Sequence, residues 1–291
     1  MKISEIFKQK KLTVSFEIFP PKPDSKVESI YDSIENLASL NPDFISVTYG
    51  AGGSNSKMTL SIASIAQNRF HVNSLAHLTC VGASQKSIDE MLKSMRENNI
   101  ENVLALRGDI PKDFQGELFR DFTHASDLIA YIKNTTDMCA GGASYPEGHV
   151  ESPSENMDIK NLKLKAETGC DFFITQLFFD NSFIYNMEDK LNLLDVDIPI
   201  IAGIMPITNK KQIMRMAELS GCTIPEKLER ILNKYEHNPD ALRDAGIIYA
   251  CEQILDLITS NKIKGIHIYT MNKPQIAKRI LDNISTLRYE D

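Results

Sequence analysis

The chain has 291 residues, of which 42% are hydrophobic, and 32 basic against 39 acidic side chains give a net charge of −7. That apolar share supplies a full core and excludes generic disorder. The acidic balance excludes broad binding to a nucleic-acid backbone, because nothing offsets phosphate repulsion over the surface as a whole, while a local basic pocket stays open.

Five cysteines, Cys80, Cys139, Cys170, Cys222 and Cys251, are odd in number, scattered, and form no C-x-x-C pair. They fit reduced thiols in a cytoplasmic protein better than a disulfide framework or a zinc site. The opening MKISEIFKQKK has no apolar h-region, so it does not read as a secretory signal. No run of 18 apolar residues occurs, so no transmembrane helix is expected.

β-rich runs alternate with helical stretches along the chain. TVSFEIF (13–19) is stopped by Pro20 and Pro21, which cannot donate ladder hydrogen bonds. A helix over about 27–40 follows, with Ile30, Ile34 and Leu37 at helical spacing. DFISVTY (43–49) leads into a Gly/Ser loop and a helix near 58–68. NSLAHLTC (73–80) precedes a helix through Ile88, Met91, Leu92 and Met95. NVLALR (102–107) precedes a long loop and a helix near 125–134. MCAGGAS (138–144) is weakened by two glycines and is followed by a polar loop and a helix over about 155–168. DFFITQLFF (171–179) precedes a helix near 182–194. IPIIAGI (198–204) is followed by a larger helical insert, roughly 208–260, read as three helices. GIHIY (265–269) and a helix over about 274–287 close the chain.

These are eight strand–helix units whose strands are mostly continuous apolar runs, as parallel strands covered on both faces require. Eight units at this length predict an α/β fold, a single (β/α)8 TIM barrel spanning residues 1–291 with a helical insert before the eighth strand. An open doubly wound sheet is the alternative.

In such barrels chemistry lies at the C-terminal strand ends. There the sequence offers Glu17, Thr48, His77, Arg107-Gly108-Asp109, Tyr145, Glu147, His149, Gln176, Tyr269, Asn272 and Lys273. Glu17 stands inside the apolar SFEIF, where a carboxylate must be partnered or line a cavity. It reads either as a structural Glu or as a general acid tuned by an apolar wall. Gly108 suits close backbone approach to a ligand, although Arg107 and Asp109 also read as a structural pair. Gly141 and Gly142 read equally as close approach or a bulge. GAGGSNSK (50–57) matches neither the Walker nor the dinucleotide glycine pattern and reads as a loop. The six histidines show no metal spacing, so no bound metal is expected; His267, between Ile266 and Ile268, reads as structural. Lys160, Lys163 and Lys165 read as a solvated run, although a lysine near the rim can meet a phosphate.

Eight segments together, VSFEIFPPK (14–22), SVTYGAGGS (46–54), HLTC (77–80), LALRGDIP (104–111), ASYPEGH (143–149), ITQLFFD (174–180), GIMPITN (203–209) and HIYTMNK (267–273), resemble the methylenetetrahydrofolate reductase family. The resemblance runs over essentially the whole chain, with the motifs in family order. It implies a TIM-barrel flavoprotein oxidoreductase of one-carbon metabolism and methionine biosynthesis. Non-covalent FAD would take hydride from NADH or NADPH and pass it, by ping-pong, to 5,10-methylenetetrahydrofolate, yielding 5-methyltetrahydrofolate. Glu17 matches the family's proton donor to the folate nitrogen, and Asp109 the carboxylate near flavin and folate. Positions matching FAD contacts are Thr48, His77, Arg107, Gly108, Asp109, Ala125, Tyr145, His149, Asp158, Asn161 and Lys165. Gln176, Tyr269 and Lys273 match substrate contacts.

Two departures stand out. Lys210 occupies a position that is aromatic in some bacterial relatives, and Lys273 replaces an Arg, keeping the charge but losing the bidentate fork. The resemblance further implies a cytoplasmic homo-oligomer with no membrane or nucleic-acid partner. No length remains for the regulatory domain of eukaryotic relatives, so adenosylmethionine inhibition is not expected. The remaining alternatives are a pterin-binding methyltransferase barrel without a redox cofactor and a non-catalytic flavin- or folate-binding protein.

Overall fold

In the computed structural model, which describes residues 1–21, 28–50, 56–110 and 116–287, the order of elements is that of a barrel entered by a short helix. Helix α1 (Ile3–Gln9) comes first, followed by β1 (Thr13–Ile18), α2 (Glu28–Ala38), β2 (Phe44–Val47), α3 (Ser56–Asn68), β3 (Asn73–Thr79) and α4 (Gln85–Glu97). The middle of the chain forms β4 (Asn102–Leu106), α5 (Ala125–Thr135), β5 (Cys139–Ser144), α6 (Glu155–Glu167), β6 (Phe172–Thr175) and α7 (Asn181–Asn192). It ends with β7 (Ile200–Ile204), α8 (Lys210–Ser220), α9 (Glu226–Lys234), α10 (Pro239–Ser260), β8 (Gly265–Tyr269) and α11 (Pro274–Asn283). All eight strands pair in parallel, each with its sequence neighbours, and β1 pairs with β8 to close the barrel. The expected (β/α)8 barrel is therefore the fold, and the open sheet is not.

Alternation along the strands sorts the side chains. Val14, Phe16 and Ile18 join the core between barrel and helices, with Ile34, Ala76, Val103 and Ile266. Thr13, Ser15 and Glu17 take the other parity, which lines the barrel. At the N-terminal end the interior is apolar: Phe44, Leu75, Leu104, Cys139, Phe172 and Ile201 pack with Ile3 and Ile6 of α1. Helix α1 is thus a plug, an element the sequence reading missed. Asn102 fixes it by accepting from the Ile3 backbone N–H at 2.7 Å. Each fully buried Ile side chain stabilises by roughly 1.5–3 kcal/mol.

Helix N-termini face the strand ends, and short polar caps set them. Ser154 caps α6 through the Met157 N–H, Asp180 caps α7 through Ser182, and Asn209 caps α8 through Gln212. The insert differs in one respect from its prediction. Its three helices are present, but α10 packs on α7 and α11 and completes the outer ring, so only α8 and α9 are additional.

The sixth strand is also shorter than the apolar run 171–179. Beyond Thr175 the chain leaves the sheet, because α10 satisfies its carbonyls: Gln253 Nε2 donates to the Phe178 oxygen and Tyr249 Oη to that of Phe179. Leu177 and Phe179 then build a second core with Met205, Ile207, Ile213 and Leu228. The glycines of β5 are explained by packing rather than by a ligand. A Cβ on Gly141 would lie 2.5 Å from the Phe172 ring, and one on Gly142 would crowd Cys170 and Ile129.

Candidate active site

The rim at the strand C-termini gathers most of the residues singled out from the sequence. On β1, Glu17 pairs in register with Ser46 of β2 and Tyr269 of β8. Its Oε2 lies 3.8 Å from His77 Nε2 and 3.9 Å from His267 Nε2. The Glu17 side chain keeps 21% exposure and so reaches the mouth, whereas His267 below it is 1% exposed. His267 is wedged between Ser15 Oγ, 2.8 Å from its Nδ1, and Ser46 Oγ, 3.3 Å from its Nε2, with its ring stacked on Phe44. The structural reading of His267 therefore covers only part of its placement, since it also forms the floor beneath the carboxylate. Burial drives the pKa of His77 down to about 4, against an opposing pull from Glu17.

A second group grows from the ends of β4 and β5. Arg107 pairs with Glu151 at 2.6 Å, not with Asp109, and that bond holds the guanidinium pKa above its ordinary value. Gly108 adopts φ +87°, and a Cβ there would strike Thr79 at 2.7 Å, so both conformation and space require glycine. Asp109 is exposed, and its charge reaches Arg107 and Tyr145. Tyr145 meets His149 edge-on at 4.6 Å. Burial, reinforced by Asp109 and Asp158, pushes the Tyr145 phenol up to about 12. His149 is held below its usual value by burial and by the Arg107 charge.

From α6, Asp158 and Lys165 face this group. Lys165 is not a solvated lysine: its Nζ donates to the Ala143 carbonyl at 2.7 Å, and burial lowers its pKa. Burial raises Asp158, against the opposing charge of Lys165. The third cluster lies at β6 to β8. Tyr269 Oη donates to the Thr175 carbonyl at 2.6 Å, across a space that only a glycine at 203 leaves open. Gln176 folds back on the Leu177 N–H, and Lys273 Nζ reaches Thr208 Oγ1 at 3.4 Å.

Other candidates are not drawn into this network. Asn161 is exposed on α6, Ala125 is buried at the start of α5, and Thr48 uses its carbonyl to accept from Thr59 Oγ1. Lys210 turns to Asn233 and Glu236 beside α9. The loop read over 50–57 lies largely outside the described residues, as does Pro111. Sequence reasoning missed the floor of Ser15, Ser46 and His267, and the Arg107 partner Glu151. The floor had a signal: Ser15/Glu17 and His267/Tyr269 are polar pairs at period two within otherwise apolar strands.

Three buried polar atoms at the rim, His77 Nε2, Thr79 Oγ1 and Ser144 Oγ, have no hydrogen-bond partner among the described residues. Unsatisfied buried groups are uncommon, and each calls for a partner such as water or a bound ligand. With the glycine turn at Gly108 and the cations Arg107 and Lys165 close by, these residues fit a large polar cofactor carrying phosphates. Among the described residues no group of three or more His, Cys, Asp and Glu is placed to hold a metal, and no helix is long and apolar enough to cross a membrane.

Fold and rim together define a (β/α)8-barrel protein with a candidate ligand site at the C-terminal ends of its strands, acidic at β1 and of mixed charge near β4 and β5, where Arg107 and Lys165 stand among Asp109, Glu151 and Asp158. The methylenetetrahydrofolate reductase family profile matches residues 2–285, and the chain belongs to that family. It is 38% identical over 287 residues to methylenetetrahydrofolate reductase 1 of Schizosaccharomyces pombe, covering 96% of this chain and 47% of that protein. The 5,10-methylenetetrahydrofolate reductase of Pectobacterium carotovorum is 32% identical over 272 residues, covering 94% and 90%. The chain thus spans about half the length of the eukaryotic relatives it matches and most of the bacterial one. Among solved structures, a Clostridium thermocellum protein described as binding two copies of 5-methyl-5,6,7,8-tetrahydrofolic acid superposes with a TM-score of 0.65. At 14% identity and 98% coverage of both chains, that likeness establishes the shared fold.

Proposed function

We propose that this chain reduces 5,10-methylenetetrahydrofolate to 5-methyltetrahydrofolate at the expense of NADH or NADPH, through non-covalently bound FAD and a ping-pong sequence. The observation that carries the proposal is Glu17, a carboxylate set at the mouth of the barrel over a histidine floor, in a chain of this family. When bound, the flavin serves as a two-electron carrier between nicotinamide and folate.

The chain's own residues supply the rest. Arg107, His149 and Lys165 offer positive charge or N–H donors to the cofactor's phosphates. Thr48, His77, Gly108, Ala125, Tyr145, Asp158 and Asn161 complete its bed, with Gln176, Tyr269 and Lys273 on the substrate side. Glu17 holds the proton for the folate nitrogen. As that nitrogen takes the proton, its bond to the bridging methylene breaks and leaves an iminium carbon, which accepts hydride and becomes the methyl group. Asp109 then opposes the positive charge that develops on the folate.

The test is anaerobic stopped-flow on the purified protein. A yellow preparation should bleach with NADH or NADPH and regain its colour with methylenetetrahydrofolate. A colourless protein that binds no FAD, or reduced flavin that the folate leaves unchanged, would overturn the assignment.

A further inference from the structure

The β1–β8 ladder ends where Glu17 pairs with Tyr269, yet the two segments stay joined beyond it. Asn272 replaces the missing rungs with its side chain. Its Oδ1 accepts from the Phe19 N–H at 3.1 Å, and its Nδ2 donates to the Phe19 carbonyl at 2.9 Å. One amide thus satisfies both backbone groups of Phe19, as a neighbouring strand would.

A second link grips the acid itself. Thr270, 2% exposed, donates from Oγ1 to the Glu17 carbonyl at 2.7 Å and accepts from the Asn272 N–H at 3.2 Å. The backbone between is unusual. Met271 and Asn272 are consecutive non-glycine residues in the left-handed region, at φ +51° and +53°. Such conformations persist only where the surroundings hold them, and they concentrate at functional sites. The next residue is Lys273, whose N–H returns to the Thr270 carbonyl at 2.9 Å and whose Nζ reaches Thr208 after β7.

The geometry points to Asn272 and Thr270 as positioning residues, a side-chain splice across the barrel seam that sets Glu17 in register with the cation Lys273. This rests on the reading of Glu17 as proton donor and deepens it. A substrate whose anionic tail meets Lys273 is thereby held at a fixed distance from the carboxylate that must protonate it. Neither splice residue touches the reacting atoms. Their effect is on the placement of Glu17, so it belongs to the proton-dependent half-reaction alone.

The test uses the FAD-loaded full chain and measures the two half-reactions separately. Asn272→Gly is the decisive variant, because glycine adopts the left-handed conformation readily but carries no amide. Thr270→Val removes the hydroxyl at nearly constant volume, and Thr270→Ser restores it. In Asn272→Gly and Thr270→Val the rate constant of the folate step at saturating substrate should fall about 10- to 100-fold, the scale expected of a displaced catalytic group. Reduction of the flavin by NAD(P)H should stay at the wild-type rate, and Thr270→Ser should recover the folate step. A wild-type folate rate in Asn272→Gly overturns the splice, as does an equal loss in both half-reactions. Should Asn272→Gly fail to fold, the Thr270 pair decides alone. A wild-type protein that never reduces folate overturns the parent reading instead, so the two failures are distinct.

Discussion

The Glu17 carboxylate lies 3.8 Å from His77 Nε2, and that nitrogen is buried without a hydrogen-bond partner among the described residues. With its pKa driven down to about 4, the ring is uncharged near neutral pH. On this side, therefore, the carboxylate faces a neutral imidazole rather than a cation. A fixed positive charge beside a carboxylate favours its ionised form. The pairing therefore puts no fixed positive charge against Glu17 from this direction.

Glu17→Gln separates the two halves of the proposed reaction. The amide keeps the shape but has no acidic proton to transfer. Flavin reduction by NADH or NADPH is expected at the wild-type rate, whereas folate reduction should fall by about 10²- to 10⁴-fold, the usual contribution of a positioned acid. Rapid-mixing absorbance of the flavin reads both steps. Wild-type folate turnover by this variant removes Glu17 from the role.

Asp109→Asn tests charge rather than acidity. Asp109 is exposed at the mouth, and its charge reaches Arg107 and Tyr145. The variant should retain FAD, because Arg107 takes its main partner from Glu151. The folate half-reaction should slow by about 10-fold or more as stabilisation of developing positive charge is lost. An unchanged folate rate, measured in single turnover, rules out that contribution.

His77 makes the protein's stability depend on pH in a defined direction. Its folded pKa of about 4 lies below the ordinary histidine value of 6.5. Below about pH 6.5 the unfolded chain takes up a proton that the folded chain refuses, so stability falls with pH until the folded ring also titrates near pH 4. At roughly 1.4 kcal/mol per unit the full effect is about 3 kcal/mol. Urea unfolding of wild type and His77→Gln at pH 7 and pH 5 checks this. The wild type should lose more stability over that interval, and parallel losses would contradict it.

How much of this was legible follows from what each feature depends on. The strands were readable because each is a short apolar run bounded by turn residues, a local property. Glu17 stood out because a carboxylate in SFEIF conflicts with its own surroundings. The plug α1 was missed because seven residues with two buried isoleucines carry little periodicity; what makes them a helix is the open barrel end they fill. Lys165 looked solvated because its acceptor, the Ala143 carbonyl, belongs to a different element. The length of β6 was misjudged for the same reason, since the side chains that end it are on α10. Asn272 was legible only as a polar residue beyond the eighth strand; its splicing role was not, because its partners lie 253 residues away across the seam.

Gly141→Ala probes the lower barrel without touching the chemistry. A methyl group there would sit 2.5 Å from Phe172 Cζ and 2.6 Å from Cε2. The ring cannot retreat, since Phe172 is fully buried and meets Phe7 and Phe44 at centroid distances of 5.7 and 6.5 Å. Overpacking of this kind costs about 1–3 kcal/mol. Chemical denaturation should show that loss, and the half-reaction rates of the folded variant should stay as in wild type. In a Phe172→Leu background the same substitution should cost less, because the smaller side chain vacates the space. If Gly141→Ala is as stable as wild type, or costs the same in both backgrounds, then the Phe172 ring is not what requires glycine in β5.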